Sequence, residues 1–116
     1  MPEEAPAQTF TFDIERNGDA AVVKCHGRLV SGVGDEFYQA VKPVLSETKA
    51  VTIDLADLTY IDSMGLGTLV RIYAHARSVS CKVTLLHLGK QVRNVLSMTN
   101  LLAVFARAED DNITIA

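Results

Sequence analysis

What most limits the fold of this 116-residue chain is the way its apolar spacing switches between a period of two and one near 3.6. Phe10, Phe12 and Ile14 alternate with Thr11 and Asp13, as in a half-exposed strand. Arg16-Asn17-Gly18-Asp19 supplies a turn centred on Asn-Gly, and Ala20 to His26 resumes as a second strand, predicting a hairpin at a sheet edge. Val33, Phe37, Val41, Val44 and Leu45 then recur at helical spacing, predicting a helix from about Val33 to Glu47. Ser31 is its expected cap, and Pro43 is expected to kink or split it.

Val51 to Leu55 is a β-branched apolar run that reads as a buried central strand. Leu66, Leu69, Val70 and Tyr73 form the stripe of a second helix. Lys82 to Leu88 reads as a strand, and Val92, Val95 and Leu96 mark a third helix ending near Asn100. Val104 to Ala108 is the expected last strand and Glu109-Asp110-Asp111 a turn, while Ile113 to Ala116 carry no assignable pattern. The order is ββαβαβα, then β. It implies an α/β fold: a mixed, mostly parallel sheet with right-handed crossovers, an antiparallel hairpin at its N-terminal edge and three to four helices.

Residues 1–8 are acidic and Pro-rich and read as a flexible tail, leaving residues 9–116 as one domain. With 48% apolar and 22% charged residues the balance is that of an ordinary folded protein. A net charge of −3 without a basic stripe argues against nucleic acid as a partner. Neither a secretory leader nor a span long enough for direct membrane insertion is visible. Cys25 and Cys81 fall in expected strands and read as buried free thiols, so a reducing cytoplasm is the expected location.

The chemistry concentrates in Asp62-Ser63-Met64-Gly65-Leu66-Gly67, where a strand gives way to a helix. Unpaired N–H groups and the positive end of the helix dipole face outward there. Gly65 and Gly67 lack side chains that would screen the first turn from another molecule. A phosphoryl group on Ser63 would add a charge of roughly −1.5 to −2 beside Asp62, enough to reverse a binding equilibrium. Ser63 also reads simply as the helix cap, and the two roles are compatible.

The run Val51-Thr52-Ile53-Asp54-Leu55, followed by Tyr60-Ile61-Asp62-Ser63-Met64-Gly65-Leu66-Gly67-Thr68-Leu69, resembles the core of the STAS family. That domain is shared by sulfate transporters and anti-sigma factor antagonists. Gly27-Arg28-Leu29 resembles the family's glycine-containing turn after the second strand, and Lys82 to Asn100 its fourth strand and third helix. The resemblance implies a non-enzymatic binding protein without cofactor or metal. In bacterial antagonists of this kind, a kinase that is also an anti-sigma factor phosphorylates the serine after the aspartate. The unphosphorylated form binds that kinase and frees a sigma factor, and a serine phosphatase resets the cycle.

Carried onto this chain, Ser63 is the phosphoacceptor. Asp62, Met64, Gly65, Gly67, Gly27, Arg28 and Ser31 are the expected contact residues around it. Many antagonists carry acidic residues after the turn glycine where this chain has Arg28, Leu29, Val30 and Ser31, and a small polar residue where it has Met64. The same resemblance admits a second role, as a STAS subunit of a lipid-transport or stress-signalling assembly whose contact is fixed and whose Ser63 is never phosphorylated.

Other chemistries fit the residues less well. A nucleophile elbow needs glycine where Ile61 stands, and His75 and His87 lack a triad context. Gly65-Leu66-Gly67 is followed by Val70 where a dinucleotide fingerprint needs Gly or Ala, and Gly32-Val33-Gly34 has no strand directly ahead of it. Cys25 and His26 point to opposite faces of a strand, and Cys81 and His75 lack metal-ligand spacing. Arg71, Arg77, Lys90 and Arg93 form a candidate basic patch on the second and third helices.

Overall fold

The computed structural model describes residues 10–98 and 113–115. Its elements are β1 (Phe10–Asn17), β2 (Ala20–Leu29), α1 (Gly34–Glu47), β3 (Ala50–Ile61), α2 (Ser63–Ser78), β4 (Lys82–Leu86), α3 (Lys90–Met98) and β5 (Ile113–Ile115). They form a five-stranded sheet in the order β1-β2-β3-β4-β5, antiparallel at the first pairing and parallel at the other three. This is the expected mixed α/β architecture. The expected strand at Val104–Ala108, the turn at Glu109-Asp110-Asp111 and the end of the third helix at Asn100 lie outside the described residues, as does the N-terminal tail.

The strand order has a direct consequence. Each crossover steps one strand in the same direction, so right-handed connections send α1, α2 and α3 to one face of the sheet. On that face, Ala21, Val23 and Cys25 of β2 align with Val51, Ile53 and Leu55 of β3 and with Val83 and Leu85 of β4. All are buried in one core with Phe37, Val41 and Leu45 of α1, Leu66, Leu69 and Ile72 of α2, and Val92 and Leu96 of α3. Phe10 and Phe12 extend the core across the hairpin, each meeting the Phe37 ring at 5.1 Å between centroids. Intervening positions such as Lys24, Thr52, Asp54 and Thr84 point away from it.

Several local readings change. The hairpin loop is Gly18-Asp19, with Asn17 paired to Ala20 as the last residue of β1. Gly18 takes φ +64°, a conformation glycine adopts without steric penalty. Pro43 sits inside α1, which runs through it from Gly34 to Glu47 without being split. Ser31 does not cap α1: the cap position is Val33, without a side-chain hydrogen bond. Cys81 lies just ahead of β4 rather than in it, and both cysteines are buried thiols outside any disulfide among the described residues. Burial pushes the Cys25 thiol up to about 12.

The largest difference is β3, which runs six residues past Leu55 to Ile61. Its alternation breaks because the pairing with β2 slips twice, between Lys24 and His26 and between Gly27 and Arg28. Each slip places an extra residue on β3, as in a bulge that bends and twists the strand. At the first, the Asp54 carboxylate accepts the Ala56 N–H at 3.0 Å, satisfying a donor beside the irregular pairing. At the second, Gly27 takes φ +94° within β2, so the expected glycine turn is a strand irregularity. Leu58 and Ile61 still return to the core, and the strand ends beside Leu29.

Candidate functional site

The end of β3 is held tightly enough to fix the residues that follow. Beyond its pairing with β4, which stops at Asp54, the strand finds a substitute partner in α3. The Gln91 amide accepts from the Ile61 N–H at 2.9 Å and donates to the Ile61 carbonyl at 3.1 Å, as a neighbouring strand would. Across the sheet the Asp62 N–H donates to the Leu29 carbonyl at 3.3 Å. Ser63 follows as the first residue of α2.

Asp62 is the cap of that helix. Its Oδ1 accepts the Gly65 N–H at 2.8 Å and its Oδ2 accepts the Ser31 N–H at 3.2 Å. One carboxylate thus satisfies an orphan donor of α2 and ties down the loop before α1. The hydrogen bond from Gly65 chiefly, with those from Ser31 and Met64, holds the Asp62 carboxyl below its usual range against the opposing effect of burial. Ser63 is relieved of the capping role, and its side chain is exposed.

The two glycines of the motif differ in kind. Gly65 is buried, and a side chain there would run into the Leu29 backbone carbonyl. Its bareness lets α2 start close against β2 and offers no surface to a partner, which corrects the expectation of an accessible glycine. Gly67 has nothing within 4 Å of where a Cβ would stand. It opens onto a cavity of about 460 Å³ between the starts of α1 and α2.

Ser31, Ser63, Met64 and Gly67 line that cavity together. Met64 is 63% exposed at its rim, a large apolar side chain available for contact. Asp62 lies behind them as the cap, while Gly27 and Arg28 are not among the lining residues. Arg28 instead stands over the Tyr60 ring at 5.0 Å, on the exposed ends of β2 and β3.

Sequence reasoning missed Gly34, Asp35 and Thr68 on the cavity wall and placed Arg71 only in a general basic patch. Arg71 pairs with Asp35 at 3.5 Å and lies over the Tyr38 ring at 4.1 Å. A signal for it existed: Ser63, Gly67 and Arg71 are spaced i, i+4, i+8 along one helix. Arg77, from the same expected patch, donates to the Tyr73 hydroxyl at 3.2 Å.

The histidines are engaged elsewhere. His26 sits 3.1 Å from both Asp13 and Asp57, His87 sits 3.1 Å from Asp54, and His75 sits 3.3 Å from Ser46. Among the described residues no group of three or more His, Cys, Asp or Glu side chains is placed to hold a metal ion. No helix among them is long and apolar enough to cross a membrane.

Comparison with known proteins places this geometry. A STAS-domain containing protein of Pseudomonas aeruginosa is 27% identical over 89 residues, covering 77% of this chain and 88% of that protein. Among solved structures, an anti-sigma factor antagonist from Mycobacterium paratuberculosis superposes with a TM-score of 0.74 at 24% identity, covering 87% of this chain and 86% of that one. The anti-sigma factor antagonist SpoIIAA in its unphosphorylated form gives a TM-score of 0.72 at 16% identity, covering 91% and 88%. At these identities the structural likeness establishes a shared fold. The family model for the STAS domain matches residues 11–113, and the chain belongs to the STAS domain family.

Proposed function

We propose that this domain is an anti-sigma factor antagonist, a binding protein without catalytic activity of its own that is switched at Ser63. In its unphosphorylated form it binds an anti-sigma factor with serine kinase activity and so frees a sigma factor in the cytoplasm. Phosphorylation of Ser63 by that kinase ends the binding, and a serine phosphatase restores it. The proposal draws on the fold shared with anti-sigma factor antagonists. The observation that carries it is the division of labour at the start of α2: Asp62 caps the helix, and the exposed Ser63 lines a cavity beside it. A residue not needed to cap the helix can be modified without dismantling it. The added charge of roughly −1.5 to −2 would then fall on the contact surface itself.

The test is phosphopeptide mapping of the wild type and of Ser63→Ala after incubation with ATP and lysate of the source organism. One phosphoryl group on Ser63 of the wild type, and none on the variant, is the expected result. An unmodified wild type, in a lysate that phosphorylates a control kinase substrate, would overturn the switch in favour of a STAS subunit with a fixed contact.

A further inference from the structure

We propose that Arg71 is the internal reader of the charge on Ser63: a phosphoryl group there draws the guanidinium away from Asp35 and into the open slot over Gly67. The inference rests on the reading of Ser63 as the phosphoacceptor and adds the residue that would respond to it.

Three features of the cavity support the exchange. Arg71 is the one cation among the described residues that line it, and Ser63 lines it too. The two positions are eight residues apart on α2, about 12 Å along the axis. Helical side chains lean toward the N-terminus, so Arg71 points back along the helix toward Ser63; the serine leans the same way, so it is the long guanidinium side chain that must do the reaching, along the cavity wall past Gly67. Gly67 lies between them, with nothing within 4 Å of where its Cβ would stand, so this position puts no side chain in the way.

The resting partner is easily displaced. Asp35 and Arg71 pair at 3.5 Å with side chains 79% and 49% exposed, an arrangement that contributes little stability. A phosphoryl group offers more charge than one carboxylate, and its oxygens match the guanidinium fork. The Tyr38 ring, 4.1 Å from the guanidinium carbon, supports the side chain on one face in the resting state. Asp35 stands in the first turn of α1, so losing Arg71 would change the charge presented by the opposite wall of the cavity. Phosphorylation would thereby alter both walls of the contact surface without moving the backbone.

The experiment places phosphoserine at position 63 during synthesis, so that no kinase is needed, and follows the phosphate by ³¹P NMR as pH is varied. With a guanidinium beside it, the phosphate should lose its second proton about one pH unit lower in the wild type than in Arg71→Gln. Arg71→Lys should recover part of the difference, because it keeps the charge and loses the fork. Asp35→Asn should preserve or enlarge the shift by removing the competing carboxylate. Superimposable titrations of wild type and Arg71→Gln, both folded by circular dichroism, would overturn the proposal. Failure of lysate kinases to modify Ser63 would instead count against the functional reading and leave this charge coupling to stand or fall on the titration.

Discussion

The starts of α1 and α2 face each other across one cavity, and they are built in opposite ways. At α2 the cap is a carboxylate with two backbone donors, and the first turn is pressed against backbone at Leu29. At α1 the cap position is Val33 without a side-chain bond, and Asp35 and Glu36 in the first turn complement the helix dipole. There the close approach is between Gly34 and the Thr68 side chain. A helix start fixed through backbone contacts can hold a serine in one place while its surroundings change. One resting on a side chain and an exposed ion pair has room to yield.

Substitutions at the two buried glycines should separate these designs. Gly65→Ala forces a methyl group into the Leu29 carbonyl, which cannot turn aside without breaking the end of β2. The expected loss is about 3 kcal/mol or more in urea unfolding, at the upper end of overpacking effects. At Gly34→Ala the nearest atoms all belong to the Thr68 side chain, the hydroxyl closest, and threonine in a helix has a second rotamer available. Its loss should be smaller, about 1–2 kcal/mol, and adding Thr68→Ala should recover most of it. Equal losses at the two glycines, or no recovery in the double variant, would break the comparison.

Asp62→Ala comes next, with an expected loss of about 2 kcal/mol because it removes a cap that also anchors Ser31. The effect should depend on pH. The folded state holds the Asp62 carboxyl below its unfolded value, mainly through the Gly65 N–H. Its stabilisation is therefore fully present above the unfolded pKa of about 3.9 and is lost as pH falls through the folded value. Wild type and Asp62→Ala should differ most near neutrality and converge in acid, as read from urea midpoints across that range. A gap that persists unchanged below pH 3 would count against the carboxylate as its source.

The smallest effect should have the opposite sign. Gly67→Ala adds a methyl group to open space inside a helix and should stabilise the fold by about 0.5–1 kcal/mol. Destabilisation there would mean that the slot beside Ser63 is less open than the contact between the two helix starts implies.

How far the sequence carried can be judged from particular stretches. Phe10 to Ile14, Val33 to Leu45 and Val51 to Leu55 announced their elements because burial of one face imposes a period on neighbouring residues. The strand–helix alternation then implied the mixed sheet with right-handed crossovers, while the strand order that sends the helices to one face came from the structure. The Asp62–Gly67 motif was legible as a strand-to-helix junction for the same local reason.

Contacts between distant segments were not legible. β3 appeared to stop at Leu55 because two slips against β2 erase its alternation, and such slips are properties of a pairing rather than of either strand. Ser31 looked like a cap from its position before a helix, yet its N–H serves Asp62, 31 residues away. Gln91 carries no local sign that its amide completes the end of β3. Gly65 and Gly67 look alike in the sequence, and only the Leu29 carbonyl makes one a packing necessity and leaves the other an opening. The sequence by itself determined the elements from β1 to α3, their order and the junction that carries Ser63, because each depends on residues within a few turns of one another, while β5 at Ile113–Ile115 carried no assignable pattern. Tertiary structure alone decided which groups meet at that junction, since the hydrogen bonds and close approaches that shape it join segments about thirty residues apart.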